Sequence, residues 1–152
     1  MTQYKSLTVY KLHKLMYCMD TEADKLLLNQ TQISYNEFMV FLALRDNPGF
    51  TQEEIGSWAQ FNKSTVSKLI DKLVQKKLLE RTENAKDRRI KDLSITEIGK
   101  IELTKAQQIT ENLSNFVFDS LTKAQHTNLD SQLDTLIQSG LPKMYESLKN
   151  NP

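Results

Sequence analysis

The sequence predicts a mainly α fold with one small β-hairpin, and three observations predict it. Only four Gly and three Pro occur in 152 residues, so breakers are scarce. Apolar residues recur at steps of three and four through most of the chain. The exception follows Leu78, where LLERTE and RIKDLSI are short, charged and partly alternating in polarity. With 39% hydrophobic and 26% charged residues, the composition suits a soluble globular chain able to hold a core, and one domain over 1–152 is expected. No apolar run is long enough to span a bilayer, and MTQYKSLTVYK lacks the apolar stretch of a secretory signal. The single Cys excludes an intrachain disulfide and a zinc ribbon, so a reducing cytoplasm is the expected location.

Over 7–30, Leu12, Leu15, Met16, Met19, Ala23, Leu26 and Leu27 form the apolar stripe of a long amphipathic helix. Ser34 and Glu37 make a capping box, so a second helix starts near Tyr35 and closes at Asn47-Pro48-Gly49. Thr51 and Glu54 repeat the device for a short helix over 52–59. Asn62 caps a fourth helix running to about Lys77, with Val66, Leu69, Ile70 and Leu73 facing inward. The hairpin follows, its turn at Asn84-Ala85-Lys86-Asp87. Thr96-Glu97 restarts helix to about Phe118. Thr122 and Gln125 open a last helix, which Gly140 and Pro142 are expected to break.

Two short helices joined by a tight turn and followed by a basic hairpin make a winged helix-turn-helix, here over 33–96. Its second helix has the diameter to enter a DNA major groove, where each base pair shows a distinct hydrogen-bonding pattern. The first turns there expose Lys63, Ser64, Thr65, Ser67 and Lys68, and Lys72 lies one turn further on, placed for phosphate. Thr51 and Gln52 put a helix N-terminus within reach of another phosphate. The charge agrees. Residues 62–91 hold ten bases and four acids, +6 in a chain whose net charge is +1, which leaves the rest at −5. At the hairpin, Asp87 stands beside Arg88 and Arg89; arginine suits a narrow minor groove, and an adjacent carboxylate can orient it beforehand.

These stretches resemble the MarR family of bacterial winged-helix transcription regulators from about Ile33 to Gly99. Asp87-Arg88-Arg89-Ile90-Lys91-Asp92-Leu93-Ser94-Ile95-Thr96-Glu97-Ile98-Gly99 is similar to that family's wing, and Lys63 to Leu73 to its recognition helix. The resemblance implies a homodimer and a palindromic double-stranded DNA operator. It also implies that Arg89 enters the minor groove with Asp87 in support. Many members release DNA on binding a small aromatic or phenolic ligand, and Tyr10, Tyr17, Tyr35 and Phe38 are candidates to line such a pocket. The chain departs from the family at Ala59-Gln60, where Leu-Gly is usual; a positive φ is costly for Gln, so a different corner is expected. Trp58 replaces a usual polar residue and either covers a neighbouring helix or stands exposed. Asp92 occupies a position commonly basic or apolar.

The outer helices, 7–30 and 97–149, carry more apolar stripe than a small winged lobe covers and are read as dimerisation helices. Repression is favoured over activation because it needs only operator occupancy. An enzyme is not expected: His13 and His126 are far apart, and no HExxH, GxSxG, P-loop or Rossmann glycine pattern occurs. No cofactor or metal is expected either. His13 and Cys18 lie on different helix faces, and Asp20, Glu22 and Asp24 read as a solvated face. Two alternatives remain: a winged module that binds protein, and a redox sensor acting through Cys18. Against the second, Cys18 precedes Tyr35 by seventeen residues, closer than in the family's peroxide-sensing branch, and it is expected to be buried on its helix.

Overall fold

A computed structural model describes residues 7–83 and 91–143. It has α1 (Thr8–Gln30), α2 (Tyr35–Asp46), α3 (Gln52–Ala59), α4 (Lys63–Gln75), β1 (Leu79–Glu83), β2 (Lys91–Ile95), α5 (Glu97–Phe118) and α6 (Lys123–Thr135), then a π-helical turn, Leu136–Gly140. The mainly α class with a two-stranded hairpin is the one the sequence predicts. The chain divides into two units, residues 1–113 and 114–152.

In the first unit, α2, α3 and α4 pack on one another, and α2 lies at the centre. Phe38, Val40, Phe41, Ala43 and Leu44 of α2 are all buried. The expected inward row of α4 is also buried: Val66, Leu69, Ile70 and Leu73. Each such side chain stabilises the lobe by about 1.5–3 kcal/mol relative to exposure. Both capping boxes form: the Ser34 and Thr51 side chains accept from the Glu37 and Glu54 N–H groups, and each glutamate accepts the N–H of its cap residue. Asn62 caps α4 by accepting the Thr65 N–H at 2.9 Å.

The end of α4 sets the start of the hairpin. Lys77 takes a left-handed conformation, φ 60°. Its N–H donates to the Val74 carbonyl and that of Leu78 to the Leu73 carbonyl, the paired bonds of a Schellman motif, and both leucines are fully buried. β1 and β2 pair antiparallel with Leu79 opposite Ile95 and Glu83 opposite Lys91. Thr96 closes this junction: its N–H donates to Leu78 O, its hydroxyl donates to Lys77 O at 2.8 Å, and its oxygen accepts the Gly99 N–H at 3.0 Å, capping α5. A Cβ at Gly99 would collide with the Leu78 carbonyl and come within 2.9 Å of Ile95 Cγ2. The Thr-Glu-x-Gly run therefore combines a helix cap with a close approach of backbone to backbone.

In the second unit, Thr122 and Gln125 form the third capping box. Phe118 meets His126 edge-on at 5.2 Å, and His126 Nδ1 lies 3.2 Å from Asp130. No residue of α6 is buried. The expected break at Gly140 and Pro142 does not occur: residues 141–143 stay helical. The π-turn shifts the hydrogen-bond register, with Leu141 N–H donating to Leu136 O, and Pro142 joins where the ladder is already displaced. The predicted tail with Met144, Tyr145 and Leu148 lies outside the described residues, as does the hairpin turn over 84–90.

The corner between α3 and α4 keeps the left-handed geometry that Gln was expected to disfavour. Gln60 sits at φ 56°, ψ 37°, and the N–H groups of Gln60 and Phe61 both reach the Gly56 carbonyl. Gly56 lets the two helices close here, since a Cβ would lie 3.0 Å from Phe61 O and 3.3 Å from Val66 Cγ2. Left-handed backbone costs a β-carbon-bearing residue roughly 1–2 kcal/mol, part of which glycine returns as unfolded-state entropy. Gln60→Gly is expected to raise stability by about 0.5–1 kcal/mol, read from the midpoint of urea unfolding. A lowered midpoint would mean that the Gln60 side chain contributes more than its backbone costs.

Candidate nucleic-acid interface

On α4, the side opposite the buried row carries Ser64, Lys68 and Lys72 at steps of four, all exposed. Lys63 is exposed beside them, and Thr65 and Ser67 are half-buried flanks. The ammonium groups of Lys63, Lys68 and Lys72 have no carboxylate partner among the described residues. Ser64 is partly committed: its hydroxyl donates to the Asn62 cap oxygen at 2.8 Å. The N-terminus of α3 is also less open than the sequence suggests. The Thr51 N–H and hydroxyl both donate to one Glu54 oxygen at 2.8 Å, and these two bonds hold the Glu54 carboxyl below its ordinary range. A carboxylate is thus fixed where a phosphate was expected, leaving Gln52 as the nearer donor.

The basic segment separates into two kinds of cation. Arg81 pairs with Asp71 at 2.8 Å and Lys91 with Glu83 at 3.0 Å, across neighbouring elements of the lobe. Lys76 is structural. Its ammonium donates to both Glu37 oxygens, at 2.7 and 2.9 Å, and to the Gln32 carbonyl at 2.6 Å. Glu37 is 2% exposed and is also the acceptor for Ser34 N–H. A second buried acid, Glu102, accepts the Gln32 N–H and pairs with Lys105. Burial alone would raise Glu102; the Lys105 ammonium and the Gln32 N–H outweigh it and hold the carboxyl below its ordinary range. The sequence gives no local sign of the Lys76–Glu37 pair, because its members lie 39 residues apart. Asp87, Arg88 and Arg89 lie outside the described residues.

Of the predicted pocket residues, the structure brings Tyr17 and Tyr35 to one open cleft of about 790 Å³, with Met16, Asp20, Asp24 and Phe61 also on its walls. Tyr35 and Phe38 share a smaller cavity of about 150 Å³ with Met19 and Leu113. Tyr10 is not with them; it lines a separate groove beside Lys14 and Cys18. Cys18 is exposed within the chain, which corrects the expected burial: its apolar neighbours Met16 and Tyr17 are exposed with it. Asp20 and Asp24 are half-buried rather than a solvated face. Asp24 accepts the Tyr35 N–H at 2.8 Å. Burial, with the neighbouring Asp20 carboxylate as charge and hydrogen-bond acceptor, pushes the Tyr35 hydroxyl up to about 12. The four-residue step between the two acids could have signalled one shared helix face; it could not show that α2 covers that face. Trp58 is 39% exposed.

With this geometry in place, residues 31–90 match the model of the MarR family. The winged lobe belongs to the MarR family. The chain is 25% identical over 113 residues to the HTH-type transcriptional repressor IacR of Pseudomonas putida, covering 74% of this chain and 68% of that one. It is 25% identical over 121 residues to the HTH-type transcriptional regulator SarZ of Staphylococcus epidermidis, covering 78% and 79%. Among solved structures it is similar to the transcriptional repressor CouR bound to a 23-mer DNA duplex, with TM-score 0.80 and 23% identity over 90% of this chain and 96% of that one. CouR from Rhodococcus jostii RHA1 bound to p-coumaroyl-CoA gives TM-score 0.75 at 17% identity, covering 87% and 92%. Among the described residues, no helix is long and apolar enough to cross a membrane.

The Lys76–Glu37 pair yields a test that separates structural lysines from exposed ones such as Lys72. Removing one partner of a buried ion pair costs about 3–5 kcal/mol. Lys76 is a third exposed and Ser34 N–H stays on Glu37, so Lys76→Met is expected to cost nearer 2 kcal/mol in urea unfolding. Lys72→Met should change stability by less than about 0.5 kcal/mol. Equal effects would contradict the division.

Proposed function

We propose that the chain is a homodimeric, sequence-specific double-stranded DNA-binding transcription regulator, acting as a repressor that a small ligand relieves. The observation that carries this reading is the exposed Ser64–Lys68–Lys72 row on α4, opposite the buried row that anchors the helix. Two lysines without carboxylate partners among the described residues are held on a helix whose width fits a major groove. Lys68 reaches base edges or phosphate, and Lys72 reaches phosphate; Lys63, Thr65 and Ser67 flank them, and at the start of α3 Gln52, rather than the committed Thr51, lies at the backbone. Arg88 and Arg89 of the wing address the adjacent minor groove, with Asp87 orienting Arg89. The DNA-bound CouR neighbour supports this assignment.

The dimer is supported by apolar surface left uncovered within the chain. Val9 and Tyr17 of α1 are 74% and 66% exposed, and Phe116 is 82% exposed. Leu136 and Ile137 are also more than half exposed. Such patches mark an interface, and a two-fold pairing of identical patches closes without leaving further sticky surface. Ligand relief is supported by the cleft of Tyr17 and Tyr35, with Phe38 in the adjoining cavity, and by the p-coumaroyl-CoA complex of CouR. The exposed Cys18 favours a second reading, in which thiol oxidation is the release signal; duplex release by peroxide that Cys18→Ser abolishes would establish it.

Selection from a random duplex library is expected to return an inverted repeat with half-sites roughly 10 bp apart. Affinity should fall steeply with salt as lysines and arginines displace counterions. Lys72→Ala should weaken all sequences alike, reducing the salt slope by about one, and Lys68→Ala should also relax base preference. No duplex affinity at low salt, without ligand, would refute the assignment and leave the protein-binding module.

At the wing, Arg89→Ala should cost more affinity than Arg88→Ala. Asp87→Ala should weaken binding although it removes a negative charge. Tighter binding by Asp87→Ala would show that charge alone governs the tip and that Asp87 orients nothing.

A further inference from the structure

We propose that the Tyr17–Tyr35 cleft takes a small organic cation with a flat or aromatic apolar body, and discriminates against aromatic carboxylates and other anions. The inference rests on the ligand-relieved reading above and names the chemistry of the same site.

The cleft, about 790 Å³, is within the ordinary range for a drug-sized ligand. Its apolar walls are Met16, Tyr17, Tyr35, Met39 and Phe61. Aromatic faces attract cations through their quadrupoles, and methionine side chains adapt to varied shapes. The charges on the walls are Asp20, Asp24 and Lys25. The Lys25 ammonium points to Glu22, with which it pairs at 3.1 Å, and its side chain is 62% exposed, so water screens its charge more than those of the two half-buried acids. Among the described residues, no cation is ion-paired with the two half-buried carboxylates that face the space.

Neither acid is neutralised by its hydrogen bonds. Asp24 accepts the Tyr35 N–H at 2.8 Å, and Asp20 interacts with the Tyr35 hydroxyl. Both donors are neutral groups, since burial and Asp20 keep that phenol protonated at ordinary pH. They orient the carboxylates and leave lone pairs for a ligand N–H. An anionic ligand would meet two like charges at reduced dielectric, whereas a cation would find them already fixed in place. The walls also include Ala59 and Phe61, on either side of the left-handed Gln60, so an occupant touches the corner from which α4 starts.

A pair of ions matched in shape and opposite in charge tests this directly. Binding of tetraphenylphosphonium and tetraphenylborate to the full chain is measured by calorimetry without DNA, so the result does not depend on whether the protein binds a duplex. The cation is expected to bind at least tenfold tighter than the anion. Asp20→Asn should shrink that ratio severalfold, and Tyr35→Phe, which frees an Asp20 lone pair, should preserve or raise it. Equal or tighter binding of the anion would overturn the proposal. So would a ratio unchanged in both Asp20→Asn and Asp24→Asn, or no binding of either ion, as when a second copy of the chain fills the cleft. Release of a selected duplex is then followed separately. Cation binding without duplex release would leave the cleft chemistry standing and refute its role as the relief site.

Discussion

The carboxylate of Glu37 is the point on which the first unit depends. It is almost fully buried at the start of α2, and burying a charge is tolerable only when partners replace the lost water. Two elements supply them. Ser34 N–H donates from the turn before α2, and Lys76 reaches it from the end of α4 while also donating to Gln32 O. The loop between α1 and α2 is thereby fastened to the far end of α4. Glu102 fastens the same residue to α5, through Gln32 N–H. Within two residues, a short loop is bonded to two helices distant in sequence. An apolar substitute could fill the volume of Glu37, but it could not fix this register.

The same economy governs the entrance to the hairpin. Leu78 is fully buried, donates its N–H back to Leu73, and accepts from Thr96. One residue thus ends α4, starts β1 and receives the chain that returns from β2. Gly99 completes the arrangement by having no side chain where α5 passes the Leu78 carbonyl. The wing strands leave the lobe from a junction braced on both sides. This is the physical content of the Leu-Ser-Ile-Thr-Glu-Ile-Gly run by which the family resemblance was recognised.

What was legible in the sequence was what is local. The three capping boxes, Ser34 with Glu37, Thr51 with Glu54 and Thr122 with Gln125, act over three residues, and each marks a helix start within one residue. The inward row of α4 follows from its period alone. Misreadings came from contacts made at a distance. Lys76 was counted with the polyanion-facing bases because Glu37 is 39 residues away. Asp20 and Asp24 read as solvated because only the packing of α2 on α1 half-buries them. Cys18 read as buried from its apolar neighbours, yet Tyr17 and Met16 beside it are themselves exposed. Gly140 and Pro142 read as a stop, but a π-turn two residues earlier had already moved the ladder that proline would break.

The two ends of α4 are held in different ways, and that difference bears on how a ligand could act on DNA. Its C-terminal end is fixed by the Schellman turn and by Lys76, which is clamped on buried Glu37. Its N-terminal end follows the Gln60 corner, which carries backbone strain and borders the open cleft through Ala59 and Phe61. A helix fixed at one end and shifted at the other turns about the fixed end. Lys63 and Lys68 lie toward the corner, and Lys72 lies one turn from the clamp. Displacement at the corner therefore moves Lys63 and Lys68, the residues proposed to read bases, further than Lys72, the one proposed to meet phosphate. Loss of sequence recognition would precede loss of general DNA affinity, because the electrostatic contacts nearest the clamp move least.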